Sequence, residues 1–176
     1  ALTVLSDPEY QWLEVDATGY LVDDVVIGKS DGSVICCQCK KNQTDFRAWS
    51  ITDLSDELVK AAQELSKNRQ ATVRFYSRCG FGPLAKLREY HLLHPSEAGY
   101  LENLTQEHTK TNSDLAACIA EHSSAISTYE FLYRTSFEVS PDFDRMESLL
   151  HERLLRKVSN PDTAFNVLNT YLDKLG

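Results

Sequence analysis

Apolar and polar positions alternate at strand spacing in the first part of the chain and recur at helical spacing in the second. Residues 10–15 (YQWLEV), 21–27 (LVDDVVI) and 33–40 (SVICCQCK) are short runs rich in β-branched and aromatic types, so three strands are predicted. Between the second and third lies GKSDG, residues 28–32, whose Asp31-Gly32 pair is a strong hairpin signal. The second and third strands are therefore expected to pair antiparallel. Residues 53–66 place Leu54, Leu58, Ala61, Ala62 and Leu65 on one helical face. Residues 71–77 (ATVRFYS) read as a fourth strand. A strand, a helix and a strand in succession imply a crossover and a mixed sheet.

From Gly82 onward the spacing is helical. Pro83 suits the first position of a helix carrying Leu84, Leu87, Tyr90, Leu93 and His94. Helices are expected over residues 113–122 and 128–133, with a short strand over 136–139. Ser140-Pro141-Asp142 and Asn160-Pro161-Asp162 each combine a capping side chain, a proline and an acid. They predict helices over residues 141–158 and 161–175. Phe131, Leu132, Phe137, Phe143, Met146, Leu149, Leu150, Leu154 and Leu155 fit core or inter-domain packing at helical spacing. The fold class is α/β: a mixed sheet of about four strands flanked by helices, then a mostly helical C-terminal half.

Composition narrows the partners. The 176 residues carry a net charge of -8, which argues against a broad basic surface for non-specific nucleic-acid binding but leaves room for a local basic cleft. No run approaches the roughly 18 apolar residues of a membrane-spanning helix, so no membrane partner is expected. Residues 1–9 lack the basic and apolar regions of a signal peptide. The five cysteines are odd in number, which fits a reducing cytoplasm better than a disulfide framework.

The candidate chemistry sits on the hairpin. Side chains alternate along a strand, so Gln38 and Lys40 share one face, while Cys37 and Cys39 share the other, expected to be the core side. Asp23 and Asp24 point to opposite faces, and Asp24, which directly precedes Val25, is favoured as the one beside Gln38. A carboxylate and an amide oxygen suit a hard cation, magnesium or alternatively manganese. Such an ion activates water and offsets charge on a phosphodiester, and Lys40 would stabilise that charge or orient the water. Glu14, on the first strand, is a further candidate carboxylate for the metal.

Asp24, a hairpin turn and then Gln38-Cys39-Lys40 resemble the PD-(D/E)xK endonuclease superfamily, in the variant with Gln in place of the usual acid. Residues 12–14 (WLE), 22–25 (VDDV), 38–40 (QCK) and 75–84 (FYSRCGFGPL) resemble, in that order, the effector-nuclease domains at the N-termini of antiviral STAND NTPases and related prokaryotic defence proteins. The strong part covers about residues 10–90. The resemblance implies a restriction-endonuclease-like core over residues 1–95. It also implies a helical extension over 96–176 leading to a further domain outside this chain. It implies magnesium-dependent cleavage, double-stranded DNA as the substrate, and homo-oligomerisation through a parent protein. No Walker motif is present, so any NTPase lies elsewhere.

Other features weigh less. Cys36-Cys37-Gln38-Cys39 has no second pair of cysteines to complete a zinc site, and buried thiols explain it better. His91 and His94 with Glu97 imitate a metal set, but histidines at a helix C-terminus, favoured by its dipole, account for them. The glycine loop 77–82 (SRCGFG) reads as a turn, with Arg78 and Lys86 available to a phosphate. Lys40, Lys41, Arg47, Lys67, Arg69, Arg74 and Arg78 could line a nucleic-acid groove, of which Lys41, Arg78 and Lys86 are the candidate contacts. An interaction module with the same sheet but no catalysis is the alternative.

Overall fold

The computed structural model describes residue 4 and residues 7–120 and 126–172. A mixed sheet of five strands forms its centre, ordered β1-β2-β3-β4-β5. They are β1 (Tyr10–Val15), β2 (Val25–Lys29), β3 (Val34–Lys40), β4 (Ala71–Ser77) and β5 (Thr135–Val139). The first three form an antiparallel meander, while β3, β4 and β5 run parallel. Residues 136–139, offered by the sequence as a short strand, thus complete the sheet.

The hairpin turn follows its chemistry. Gly32 adopts φ 84°, and Asp31 Oδ1 accepts from both Ser33 N–H (2.9 Å) and Ser33 Oγ–H (2.6 Å). The second strand begins four residues later than expected. Leu21 N–H donates instead to Glu64 Oε2 at 2.9 Å, and Val22 is wholly buried, so this segment is a loop tied down by side chains. On β2, Gly28 lies beneath the Trp12 ring; a Cβ there would sit 2.0 Å from Trp12 Cε2, so the close approach requires glycine.

Helix α1 (Ser55–Lys67) makes the crossover between β3 and β4 and buries Leu58, Ala61, Ala62 and Leu65. Asp56 and Glu57 occupy its first turn and Lys67 its last, each complementing the helix dipole. Helix α2 (Gly82–His91) carries Pro83 near its start, as expected, and is followed by α3 (Glu97–Glu102). Helix α4 (Gln106–Ala120) begins well before residue 113, because its first turns show mainly polar residues to solvent and bury only Thr111 there. The expected end of that helix, residues 121 and 122, lies outside the described residues.

Ser127 caps α5 (Thr128–Arg134), which runs directly into β5. Helix α6 (Phe143–Leu155) is capped by Asp142, which accepts from Arg145 N–H at 2.8 Å, rather than by Ser140. Helix α7 (Pro161–Leu172) opens as predicted, with Asn160 Oδ1 accepting from Thr163 N–H at 3.0 Å. Residues 173–175 of that prediction lie outside the described residues.

One buried cluster joins the sheet to α1, α2, α4 and α5. It includes Val26, Val34, Cys36, Val73, Phe75, Leu84, Leu115, Phe131 and Leu132, so it draws on both sides of residue 95. Phe75 stacks on Phe137 with ring centroids 5.2 Å apart, and Phe81 lies 5.4 Å from Phe137. Phe131, Leu132 and Leu154 are buried as the apolar spacing suggested, but Phe143, Leu155 and Val167 stand largely exposed on α6 and α7. No described helix is long and apolar enough to cross a membrane.

Candidate functional site

The two faces of β3 are assigned by what packs on them. Cys36 pairs with Val26, and both belong to the core under α1. Gln38 and Lys40 follow Cys36 at two-residue steps, so they lie on the helix-covered face. The expectation that Cys37 and Cys39 face the core is corrected here. Cys39 is exposed, and Cys37 is buried on the opposite side of the sheet. Both faces of β3 carry small apolar residues, so alternation alone did not say which face α1 covers.

Asp24 precedes β2 directly, and its side chain crosses to the end of β3. Its Oδ2 accepts from Gln38 Nε2–H at 2.6 Å and from Cys39 N–H at 2.6 Å. Asp24 is thus the aspartate that meets Gln38, whereas the backbone carbonyl of Asp23 accepts from Ala17 N–H. Lys40 forms an ion pair with Glu57 in the first turn of α1, and its ammonium lies 5.6 Å from the centroid of the Trp49 ring. Trp49 is held in turn by Ser77, whose Oγ accepts from Trp49 Nε1–H at 2.9 Å and from Cys79 N–H at 3.0 Å. All of this gathers at the C-terminal ends of the parallel strands β3 and β4, where open α/β sheets present their ligand sites.

Glu57 and Trp49 were not singled out by the sequence. A signal exists for Glu57, an acid in the first turn of the helix after the QCK strand, but only the crossover sets it against Lys40. Glu14 is not drawn into this group. It sits on β1 opposite Val26, about 7 Å along the ladder from the rung of Asp24, and is exposed. Asp16 occupies that rung instead, donating its N–H to Asp24 O at 3.2 Å.

Among the described residues, no group of three or more His, Cys, Asp or Glu side chains gathers to hold a metal. The donors available are one carboxylate, one amide oxygen and backbone carbonyls. That set suits a hard cation that keeps most of its water, as magnesium does, and not a thiolate- or imidazole-bound metal. Burial pushes the Cys36 thiol up to about 12 and the Cys37 thiol up to about 11, so both stay protonated and apolar at neutral pH. His91 is buried, its ring tilted against that of Tyr129 with centroids 4.4 Å apart. Burial, then the charge of Arg88, pushes it down to about 4. It stands in the last turn of α2, as expected, but is neutral, so burial and not the helix dipole decides its charge.

The basic residues divide between the two ends of the sheet. Lys67 and Arg69 flank the start of β4, far from the site, and Arg47 chelates Asp53 with bonds of 2.7 and 2.8 Å. Lys41 is exposed next to Lys40. Arg78 places its guanidinium 5.7 Å from the Phe46 ring centroid. Lys86 points to Glu107 of α4 at 3.3 Å. The glycine loop is a turn, as expected, with Cys79 buried and Gly80 O accepting from Trp49 N–H at 2.8 Å.

A cleft of about 940 Å³ opens nearby, lined by Ser50, Thr52, Ser55, Pro83 and Lys110 among others, but it contains none of Asp24, Gln38 or Lys40. These three lie at the C-terminal end of the central strand, where Asp24 and Lys40 are half-buried and Gln38 is buried. Comparison of the chain with protein-family models, with curated proteins and with solved structures gives no match.

Proposed function

We propose that the chain is a metal-dependent endonuclease, cutting phosphodiester bonds at the strand ends where Asp24, Gln38 and Lys40 meet. The observation that carries this reading is the 2.6 Å contact between Gln38 and Asp24, with Lys40 two residues further on the same face. Asp24 and the Gln38 amide oxygen would hold the cation, with the Cys39 carbonyl as a further oxygen. Magnesium, or manganese, supplies polarisation of a phosphoryl oxygen and an activated water.

The remaining work falls to the chain. Lys40 has three N–H donors, so its pairing with Glu57 leaves hydrogens for a phosphate oxygen as charge builds on it. Water adds to phosphorus, the bond to one ester oxygen breaks, and that oxygen leaves with a proton from solvent. Glu57 and the Trp49 ring keep the ammonium in place at the end of β3. Double-stranded DNA is the proposed substrate. Cytoplasmic action as the effector of a prokaryotic antiviral defence protein, oligomerising through its parent, is proposed on the sequence resemblance.

A second reading is a restriction-fold module that binds without cutting. What favours it is the apolar surface of α6, where Phe143 is 77% exposed, together with the engagement of Lys40 by Glu57. Plasmid cleavage separates the two. It is run with magnesium, with manganese and with chelator, on the full-length parent in its activated form beside Asp24→Ala and Lys40→Ala. The nuclease reading expects each variant to lose roughly a hundredfold or more in rate. Equal cutting by all three proteins, or cutting that survives chelation, removes it.

A further inference from the structure

The segment after β3 is built unlike an ordinary loop. Its ends are pinned to the loop that follows β4: Gln43 N–H donates to Cys79 Sγ at 3.2 Å, and Trp49 N–H donates to Gly80 O at 2.8 Å. Between the pins, residues 44–48 stand out as an exposed arch. At its crest Asp45 and Phe46 both adopt left-handed backbone, with φ 56° and 53°. Two successive non-glycine residues in that region are held only where the surroundings over-determine them. The outcome is that Phe46 is 61% exposed. An apolar ring is thus fixed in solvent where burial was the cheaper solution.

The surroundings of Phe46 show what it fits. The Arg78 guanidinium lies over its ring at 5.7 Å, Lys41 is exposed on the same segment, and Lys40 of the candidate site precedes it directly. In a chain of net charge -8, the arch and the loop beside it set the exposed cations Lys41 and Arg78 about one presented aromatic, with Asp45 as the arch's acid. Aromatic rings combined with arginine planes are the common means of holding an unstacked base, with neighbouring cations following the phosphates. A hydrophobic protein partner would not call for that charge.

We propose that the arch over residues 43–49 is a nucleobase-binding element, in which Phe46 and Arg78 stack on a base unpaired next to the scissile phosphate. The proposal rests on the nuclease reading and names what that site prefers: nucleic acid with an unpaired base beside the cut, such as a gap or a fork, over uninterrupted duplex. Lys41 follows the backbone, and the pins at Gln43 and Trp49 hold the ring at a fixed distance from Lys40.

The test uses DNA oligonucleotides carrying 2-aminopurine, either in a short single-stranded gap or within the same sequence fully paired. Binding is followed in chelator, so that no strand is cut. The chain is expected to bind the gapped probe about tenfold more tightly and to quench its fluorescence by stacking. Phe46→Ala loses both the preference and the quenching, Phe46→Tyr retains them, and Arg78→Ala weakens binding severalfold. Thermal melting of Phe46→Ala should match the parent chain, since the ring is exposed. Binding of Phe46→Ala equal to the parent, or no preference for the gap, overturns the proposal. A change in self-association without a change in DNA binding also overturns it, in favour of a protein contact. The two readings fail separately. Quenching with no metal-dependent cleavage removes only the nuclease, and cleavage with no quenching removes only the base-binding arch.

Discussion

The parallel strands β3 and β4 have two ends, and the chain treats them oppositely. At the N-terminal end, Arg134 closes the sheet against α1. Its guanidinium donates to Leu65 O at 2.9 Å, to Ala71 O at 2.9 and 3.1 Å, to Asn68 O, and to Glu130 at 3.1 Å. At the C-terminal end, Asp24 bonds Gln38 and the Cys39 backbone, and Lys40 pairs with Glu57, beside a strained arch. One end uses a cation to satisfy backbone carbonyls that have no strand partner; the other leaves titratable side chains at the surface. The closed end holds the fold together, and the open end carries the side chains on which the proposed chemistry depends.

The largest effect is expected at the closed end. Arg134 is only 10% exposed, and bonds from a charged donor contribute about 1.5–3 kcal/mol each before overlap. Removing it strands carbonyls of α1 and β4 together. Arg134→Ala should cost about 3–4 kcal/mol in urea unfolding and roughly 10 °C in melting temperature, while the chain that stays folded keeps whatever nucleic-acid binding the parent chain has. Arg134→Lys should restore only part, since an ammonium cannot reach several carbonyls in one plane. A loss below about 1 kcal/mol would mean that the closed end is not held by this residue.

A smaller effect is expected under the same core, from His91. Burial, then Arg88, lowers it to about 4, against about 6.5 in an unfolded chain. A depressed histidine contributes stability that is complete above the unfolded value and is lost as pH falls through the window from 6.5 to 4. There the unfolded chain binds the extra proton, so stability rises with pH. Between pH 7 and pH 4.5 the loss should be about 2 kcal/mol. Asp53, held below the usual carboxylate range by Arg47 and then Ser50, adds its own loss only under the ordinary carboxylate value near pH 4. His91→Leu should flatten the upper window and leave the lower one. An unchanged slope in that variant would assign the effect elsewhere.

The difference between the ends also explains what the sequence made legible. The crossover between β3 and β4 was readable because α1 keeps Leu58, Ala61, Ala62 and Leu65 at helical spacing. The pairing of Asp24 with Gln38 was readable because a tight turn fixes the register of a hairpin. Glu57, Trp49 and Ser77 were not, because their contacts to β3 depend on how the crossover packs, and nothing local encodes that. The start of β2 was misplaced for a related reason. Leu21 and Val22 have strand character, but Glu64, 43 residues away, holds the backbone that a strand would otherwise pair. Arg134 gave no local sign either, since its carbonyl partners come from α1, β4 and the turn between them.

The smallest stability effects should come from the residues on which the proposed chemistry depends most. Asp24→Asn keeps one oxygen to accept from Cys39 N–H and from Gln38 Nε2–H. Lys40→Met breaks an ion pair whose side chains are 22% and 19% exposed, worth no more than about 1 kcal/mol with solvent so near. Glu57 then remains in the first turn of α1, where the helix dipole still favours its charge. Each variant should therefore unfold within about 1 kcal/mol of the parent chain while losing metal-dependent cleavage. A loss above about 2 kcal/mol in either variant would show that the open end carries the fold as the Arg134 end does. The separation of the sheet into a stabilising end and a chemical end would then be wrong, because a group that holds the fold together is not free to exchange its partners for a phosphate.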